Sequence, residues 1–241
     1  MSSNVEYQAN MVIKENVEPR LISSVSRTGR VIYQDDFETY TSVLTEKWLQ
    51  SQGTTTLDTG SPFRGKVAAK LVTAASIGAQ GQITKTFQAA QNNRIGVEFW
   101  WDPIGALADI DNMTIQCSFY DGTNSTTSKL IYFFTNASGT QKWQYLDNTN
   151  SWVDVPTGAQ TIYYDGSYPC YHHFKAVLDF NNAKYVSFVS DNKIFTPATL
   201  GMYVVGDATY PRIVIRLGIT AKTATAITMY VDDFILTDQE P

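Results

Sequence analysis

The chain has 241 residues and a mass of 26.9 kDa, a length at which one all-β domain buries enough surface to fold without a disulfide or a structural metal. Only 17% of the residues are charged and the formal net charge is -5, so the clustered Lys and Arg of a nucleic-acid-binding protein are missing and we expect no nucleic-acid partner. No apolar run approaches the ~20 residues of a membrane-spanning helix, and no secretory signal begins the chain, so we expect a soluble protein without membrane insertion.

Residues 1–30 show no sustained periodicity and carry scattered charges, with breaks at Pro19 and Gly29. We predict an extended arm that precedes a single domain of residues 31–241. Such an arm has too little apolar surface to offset the entropy of ordering, so we expect it to order on a protein partner in a larger assembly or a homo-oligomer. An ordinary frayed terminus would give the same pattern.

From residue 31 onward, short runs that alternate apolar and polar residues are separated by Gly, Asn, Asp and Pro clusters. The predicted strands are residues 31–37, 66–73, 82–87, 94–101, 113–120, 129–135, 142–146, 161–164, 173–180, 185–190, 201–205, 212–220 and 226–236. The best helical candidate, residues 41–50, is short. This pattern predicts an antiparallel two-sheet sandwich and not βαβ units.

Residues 171–193 predict a β-hairpin, in which Asn181 and Asn182 supply the turn. Its first strand begins with His172 and His173, which are the only histidines of the chain. Adjacent strand residues point to opposite faces, so at most one of these rings could enter a given cleft, and we expect a structural role for them. Cys117 and Cys170 lack metal-ligand spacing and are interpreted as two buried thiols, or as one bridge in an oxidising compartment.

The hairpin, with its Asp191-Asn192-Lys193 turn, resembles that of the concanavalin-A-like and laminin-G-like jelly rolls. Residues 33–38, YQDDFE, and residues 229–236, MYVDDFIL, are similar to the first and last strands of those folds, which pair side by side. The resemblance covers residues 31–237 and implies an all-β, two-sheet antiparallel jelly-roll sandwich. Lectins, glycanases, adhesion modules and capsid accessories share this architecture, so the resemblance leaves the activity open.

Pairing of the two ends would gather acidic groups, namely Asp36 and Glu38 with Asp232 and Asp233. Carboxylates without a neighbouring Lys or Arg repel one another, and a hard cation with oxygen ligands relieves this. No cofactor is required for the fold, but these four residues are a candidate structural calcium site. The alternative is that the acids alternate outward into water.

Residues that could contact a glycan fall in two places. Glu98, Trp100 and Asp102 share one face of a predicted strand, where the ring could stack on a sugar and the carboxylates could accept hydroxyl hydrogen bonds. A cluster of aromatic residues interleaved with Asp and Asn follows later in the chain. It comprises Trp143, Tyr145, Trp152, Tyr163, Tyr164, Tyr168 and Tyr171. A solvated strand face and an aromatic-rich sandwich edge without any ligand are the alternatives.

The chain has no run of paired carboxylates for glycoside hydrolysis and no phosphate-binding or Gly-x-Ser-x-Gly motif. We therefore expect a non-catalytic structural or binding module. Its arm and polar sandwich resemble virion accessory or decoration proteins of tailed bacteriophages, which implies synthesis in a host cytoplasm and attachment to a particle through residues 1–30. A glycan-binding adhesin or carbohydrate-binding module is the alternative, and a polysaccharide hydrolase or lyase using Glu98, Asp102 or a histidine is the third.

Overall fold

The computed structural model describes residues 29–39, 47–88, 94–134, 141–163, 169–196 and 200–241. These residues form sixteen β-strands and one turn of 3-10 helix, Leu107–Asp109. The strands are β1 (Arg30–Asp35), β2 (Leu49–Gln52), β3 (Thr54–Asp58), β4 (Ala68–Val72), β5 (Gln80–Gln88), β6 (Arg94–Ile104), β7 (Ile110–Tyr120), β8 (Asn124–Phe133), β9 (Lys142–Leu146), β10 (Trp152–Ala159), β11 (His172–Asp179), β12 (Lys184–Ser190), β13 (Lys193–Phe195), β14 (Tyr203–Gly206), β15 (Arg212–Ala221) and β16 (Thr228–Asp238).

The strands form two antiparallel sheets. The first sheet has the order β13-β12-β11-β6-β16-β4-β3, and β1 also pairs with β16. The second sheet has the order β10-β9-β8-β7-β15-β5-β2, and β14 also pairs with β8. Neighbouring strands are often distant in sequence because the chain crosses repeatedly between the sheets. The predicted all-β, two-sheet jelly-roll sandwich is confirmed.

One continuous hydrophobic core fills the space between the sheets. Alternate residues of each central strand point into it, as strand geometry requires. The first sheet contributes Ile95, Val97, Phe99 and Trp101 from β6, and the second contributes Ile213, Ile215, Leu217 and Ile219 from β15. The residues between them point to the outer faces, so the outer faces carry the polar side chains available for function.

The first and last strands lie side by side, as the sequence predicts. β1 pairs with β16 from Arg30 opposite Asp238 to Asp35 opposite Phe234. The carboxylate of Asp35 accepts hydrogen bonds from the Phe37 N–H at 3.0 Å and from the indole N–H of Trp48 at 2.9 Å. The two ends of the domain are thereby fixed together.

Some predicted elements differ from the structure. Leu49 and Gln50, predicted to end a helix, begin β2, while residues 41–46 lie outside the described residues. Residues 161–163 belong to no strand. β3 and β10 are strands that the sequence pattern does not predict, because β3 is rich in Thr and β10 contains Pro156, which is tolerated at a sheet edge.

The predicted arm, residues 1–30, lies almost entirely outside the described residues, and the domain boundary at residue 31 stays a prediction. Cys117 and Cys170 are not joined by a disulfide. Within the described part of the chain, no helix has the length and apolar character needed to cross a bilayer.

Candidate functional site

Two members of the predicted aromatic cluster lie in the core and not at a ligand surface. Trp143 is 0% exposed, and its ring packs 5.3 Å from Phe174 and 5.4 Å from Phe188, centroid to centroid. Tyr145 is 6% exposed and packs edge to face against Tyr185. Both residues point inward on β9, so the prediction that they contact a glycan is wrong.

The other members of the cluster are distributed differently. Trp152 on β10 is 41% exposed and Tyr163 is 71% exposed, so both rings are accessible. Tyr164 and Tyr168 lie outside the described residues. The hydroxyl of Tyr171 donates to the carbonyl oxygen of Ser61 at 2.5 Å, which directs this residue toward the first sheet.

Glu98, Trp100 and Asp102 share the outer face of the first sheet, but they do not form an open groove. The Trp100 ring stacks on Phe63 with a centroid separation of 4.1 Å. Glu98 is 5% exposed, and its Oε1 lies 3.2 Å from His173 Nε2. The expectation that Glu98 lines a sugar groove is therefore wrong, because this carboxylate is sealed by its neighbours.

The two histidines point to opposite faces, as predicted. His173 lies on the outer face, where its ring contacts Trp100 at 5.0 Å, centroid to centroid. His172 lies against Trp101, and its Nδ1 is 2.9 Å from a carboxylate oxygen of Asp191. Each ring is 4% exposed, which agrees with a structural role.

A loop that covers the outer face of the first sheet is anchored by Asp232. One carboxylate oxygen of Asp232 accepts hydrogen bonds from the Phe63 N–H at 2.9 Å and the Arg64 N–H at 3.1 Å. Asp232 itself is 0% exposed, and burial raises its pKa to about 7 although the backbone N–H groups favour the charged form. These bonds hold Phe63 on Trp100 and explain why the face is closed.

The four acids predicted to bind calcium have other partners. Asp36, Glu38 and Asp232 each accept backbone N–H hydrogen bonds, and Asp233 lies 3.6 Å from the guanidinium of Arg64. Among the described residues, no group of three His, Cys, Asp or Glu side chains could hold a metal ion. Structural calcium stays a prediction, which chelation during thermal unfolding would test.

Asp102 makes stability depend on pH. It is 1% exposed, neither carboxylate oxygen has a hydrogen-bond partner of normal geometry among the described residues, and burial raises its pKa to about 7. In the unfolded chain the pKa of an Asp side chain is about 4. Between about pH 4 and pH 7, Asp102 therefore carries a proton in the folded protein that it has lost in the unfolded chain.

We expect the contribution of Asp102 to stability to be greatest below about pH 4 and to fall by about 1.4 kcal/mol per pH unit as pH rises toward 7. Urea unfolding of wild type and Asp102→Asn across this range measures it, since other titrations largely cancel in the difference. A difference between the two proteins that is constant with pH would contradict this prediction.

The outer face of the second sheet carries a line of polar side chains that crosses several strands. Cross-strand pairing places Thr84 on β5 opposite Arg216 on β15, Arg216 opposite Gln116 on β7, and Gln116 opposite Lys129 on β8. Trp152 on the edge strand β10 completes the line beyond β9. We call these five residues the polar row. Since strands lie about 4.8 Å apart, the row from β5 to β10 is about 24 Å long.

Contacts within the polar row fix several of its side chains. The ammonium of Lys129 lies 5.2 Å from the centroid of the Trp152 ring, a cation–π contact. The side-chain amide of Gln116 donates to the hydroxyl of Ser118 at 3.1 Å. Lys129, Gln116 and Arg216 are each partly exposed, so their remaining hydrogen-bonding capacity faces solvent.

The backbone beneath the polar row is held from the opposite sheet. The hydroxyl of Tyr185, on β12, accepts from the Lys129 N–H at 2.8 Å and lies 2.9 Å from the Leu146 carbonyl oxygen, to which it donates. Burial raises the pKa of Tyr185, so the group stays a neutral hydroxyl that can make both bonds. β8 and β9 are thereby joined directly behind Lys129.

Most of the polar row escaped sequence reasoning. The alternation of residues 113–120 and 212–220 shows that Gln116 and Arg216 face away from the core, and Lys129 begins a predicted strand. The cross-strand register that aligns them is not encoded in any one strand, and β10, which positions Trp152, was not predicted. Of the residues proposed from sequence, Trp152 alone lies in the row.

No family model matches the sequence, and no curated protein matches it. Solved structures match the fold. The chain is similar to a carbohydrate esterase of the Shiga toxin-encoding bacteriophage phi24B, with 16% identity and a TM-score of 0.56 over 88% of this chain and 100% of that one.

It is also similar to an endo-beta-1,4-glucuronan lyase from the fungus Trichoderma reesei, with 11% identity and a TM-score of 0.53 over 87% of this chain and 96% of that one. The carbohydrate recognition domain of Emp47p matches with 14% identity and a TM-score of 0.51 over 89% and 99% of the two chains. The chain also matches a sialidase with 14% identity and a TM-score of 0.52. That match covers 88% of this chain but spans only 19% of the length of the sialidase. At these identities the likeness shows a shared jelly-roll sandwich fold.

Proposed function

We propose that this protein is a non-catalytic glycan-binding module and that the polar row on the outer face of the second sheet is its binding surface. The observation that carries the proposal is the juxtaposition of an exposed Trp152 ring with Lys129 and Gln116 on one sheet face. Aromatic rings offer an apolar platform for the faces of sugar rings, while amide, hydroxyl and ammonium groups fix the hydroxyls around them.

The row is suited to binding because it is built on regular strands. β7, β8 and β15 are paired over nine or more residues, and Tyr185 supports β8 from behind. Side chains on such elements are presented in a nearly fixed arrangement, so little ordering entropy is lost when a ligand binds.

A non-catalytic role is supported by the burial of the residues that the sequence suggests for catalysis. Glu98 and His173 bind each other and are 5% and 4% exposed, while Asp102 is 1% exposed. A polymer could not reach these groups without displacing the residues that bury them. Assays of polymer cleavage by the wild-type protein test this part of the proposal directly.

Attachment through residues 1–30 to a protein partner, including a bacteriophage particle, stays a prediction from the sequence. It is compatible with a glycan-binding domain, because an arm and a sheet face can engage different partners. Sedimentation of a chain that lacks the arm tests it.

The glycan-binding proposal predicts a specific loss on a glycan array. Wild-type protein should bind one class of glycan, and Trp152→Ala should lose about fivefold or more in affinity, because stacking on an exposed ring contributes on the order of 1 kcal/mol or more. Tyr163→Ala is the matched control, since it removes an aromatic ring that is exposed but lies off the row. Loss of binding in Tyr163→Ala with full binding in Trp152→Ala would place the site elsewhere.

A further inference from the structure

Two cations dominate the charge of the polar row. Arg216 and Lys129 flank Gln116 on the two neighbouring strands, so their Cα atoms are about 10 Å apart. On β15, β7 and β8, the residues two positions before and after Arg216, Gln116 and Lys129 also point outward, and none of them is a carboxylate. Those positions are Val214, Gly218, Thr114, Ser118, Thr127 and Ile131. Beside Trp152 on the same face, the carboxylate of Asp154 is paired with Lys142. The centre of the row, at Arg216 and Lys129, is therefore positive on a chain whose net charge is -5.

Neither cation has an ion pair among the described residues, whereas five other cations of the domain do. Ion pairs form at Arg30–Asp238, Arg64–Asp233, Lys70–Asp58, Lys142–Asp154 and Lys175–Glu240. Partial burial lowers the pKa of Lys129, and the charge of Arg216 lowers it further. An anion bound between them would relieve both unfavourable effects.

We propose that the ligand of the polar row is an acidic polysaccharide, whose carboxylates or sulfates bind Lys129 and Arg216 while a sugar ring contacts Trp152. This inference rests on the proposed glycan-binding function and names its ligand class. Gln116, between the two cations, offers an amide to the sugar hydroxyls. The guanidinium of Arg216 can bind a carboxylate through two parallel N–H groups, and the ammonium of Lys129 acts as a point charge.

A nucleic acid is the other common polyanion, and the observations favour a polysaccharide over it. The row offers two cations and not the dense basic stripe that binds a phosphate backbone. Thr114 and Thr127 place hydroxyl groups beside the amide of Gln116 and the cations, which suits a ligand that carries hydroxyl groups along its length.

The test compares alginate and hyaluronan with the neutral polymers dextran and hydroxyethylcellulose in affinity electrophoresis and calorimetry. Wild type should bind an acidic polymer, and added salt should weaken that binding. Lys129→Met and Arg216→Met should each reduce affinity about tenfold or more, because each removes a charge-assisted contact. Lys184→Met, a change of the same kind at an exposed lysine of β12 in the first sheet, should leave affinity unchanged.

The outcomes separate this inference from the proposed function. Salt-independent binding of a neutral polymer that is lost in Trp152→Ala but kept in Lys129→Met would overturn the acidic ligand and retain the glycan-binding module. Tighter binding of mixed-sequence single-stranded DNA than of any glycan through the same cations would overturn the inference in favour of a nucleic acid. Binding of none of these polymers would overturn both, and the thermal melting of each variant shows that it is folded.

Discussion

Replacing Lys175 by Met should lower the free energy of unfolding by about 3 to 5 kcal/mol, since it breaks a buried ion pair. The ammonium of Lys175 lies 3.1 Å from Oε1 of Glu240, and the two side chains are 4% and 1% exposed. Met fills most of the volume of the lysine stem but leaves the Glu240 carboxylate buried without that ammonium. For a domain of this size the loss corresponds to a fall of roughly 6 to 20 °C in melting temperature.

Two comparisons isolate the ion pair. The double variant Lys175→Met with Glu240→Gln should recover much of the lost free energy of unfolding, because it also removes the buried negative charge of Glu240. Lys142→Met breaks the pair with Asp154, whose side chain is 58% exposed, and should change stability by no more than about 1 kcal/mol. Equal small effects of Lys175→Met and Lys142→Met in equilibrium unfolding would contradict the burial of the first pair.

Trp143→Ala should be among the most destabilising single changes in the domain, at about 3 to 5 kcal/mol. The Trp143 ring contacts Tyr132, Phe174 and Phe188 between the sheets, and its indole N–H donates to the side-chain oxygen of Gln160 at 3.1 Å. Its truncation opens a cavity in the core and removes a buried hydrogen bond. Guanidinium unfolding followed by circular dichroism measures the effect.

Trp152→Ala is the matched comparison for Trp143→Ala, because it removes the same side chain from an exposed position. It should cost about 1 kcal/mol or less, since the Trp152 ring is 41% exposed. The two variants thus separate stability from binding. A stable Trp143→Ala protein that has lost glycan binding would show that the ring serves a ligand and not the core.

The architecture could be predicted from the sequence because both of its signals are local. Alternation in residues 94–101 and 212–220 identifies buried strands, and turn residues such as those at 121–124 divide them. The pairing of β1 with β16 followed from the resemblance of residues 33–38 and 229–236 to the end strands of jelly rolls. β2 and β3 were missed because edge strands need little apolar surface and show no clear alternation.

The candidate site was harder to predict because it depends on register and burial. Trp143 and Trp152 belong to one stretch of aromatic and polar residues, yet one fills the core and the other is exposed. Composition alone cannot distinguish the buried from the exposed tryptophan, because the difference depends on which face of β9 or β10 points inward. From the sequence alone, Glu98 is predicted to be a surface carboxylate. Its burial depends on two features of the tertiary structure, namely the pairing of His173 with Trp100 and the loop that Asp232 holds over the face.

The most direct test of the binding surface uses the five tryptophans of the chain as reporters. Their indole N–H resonances can be followed by NMR during titration with alginate oligosaccharides and then with cellohexaose, and assigned by Trp→Phe substitutions. Binding at the polar row predicts that the resonance of Trp152 shifts while that of the buried Trp143 does not. A saturable shift of Trp100, on the outer face of the first sheet, with Trp152 unmoved, would contradict the account.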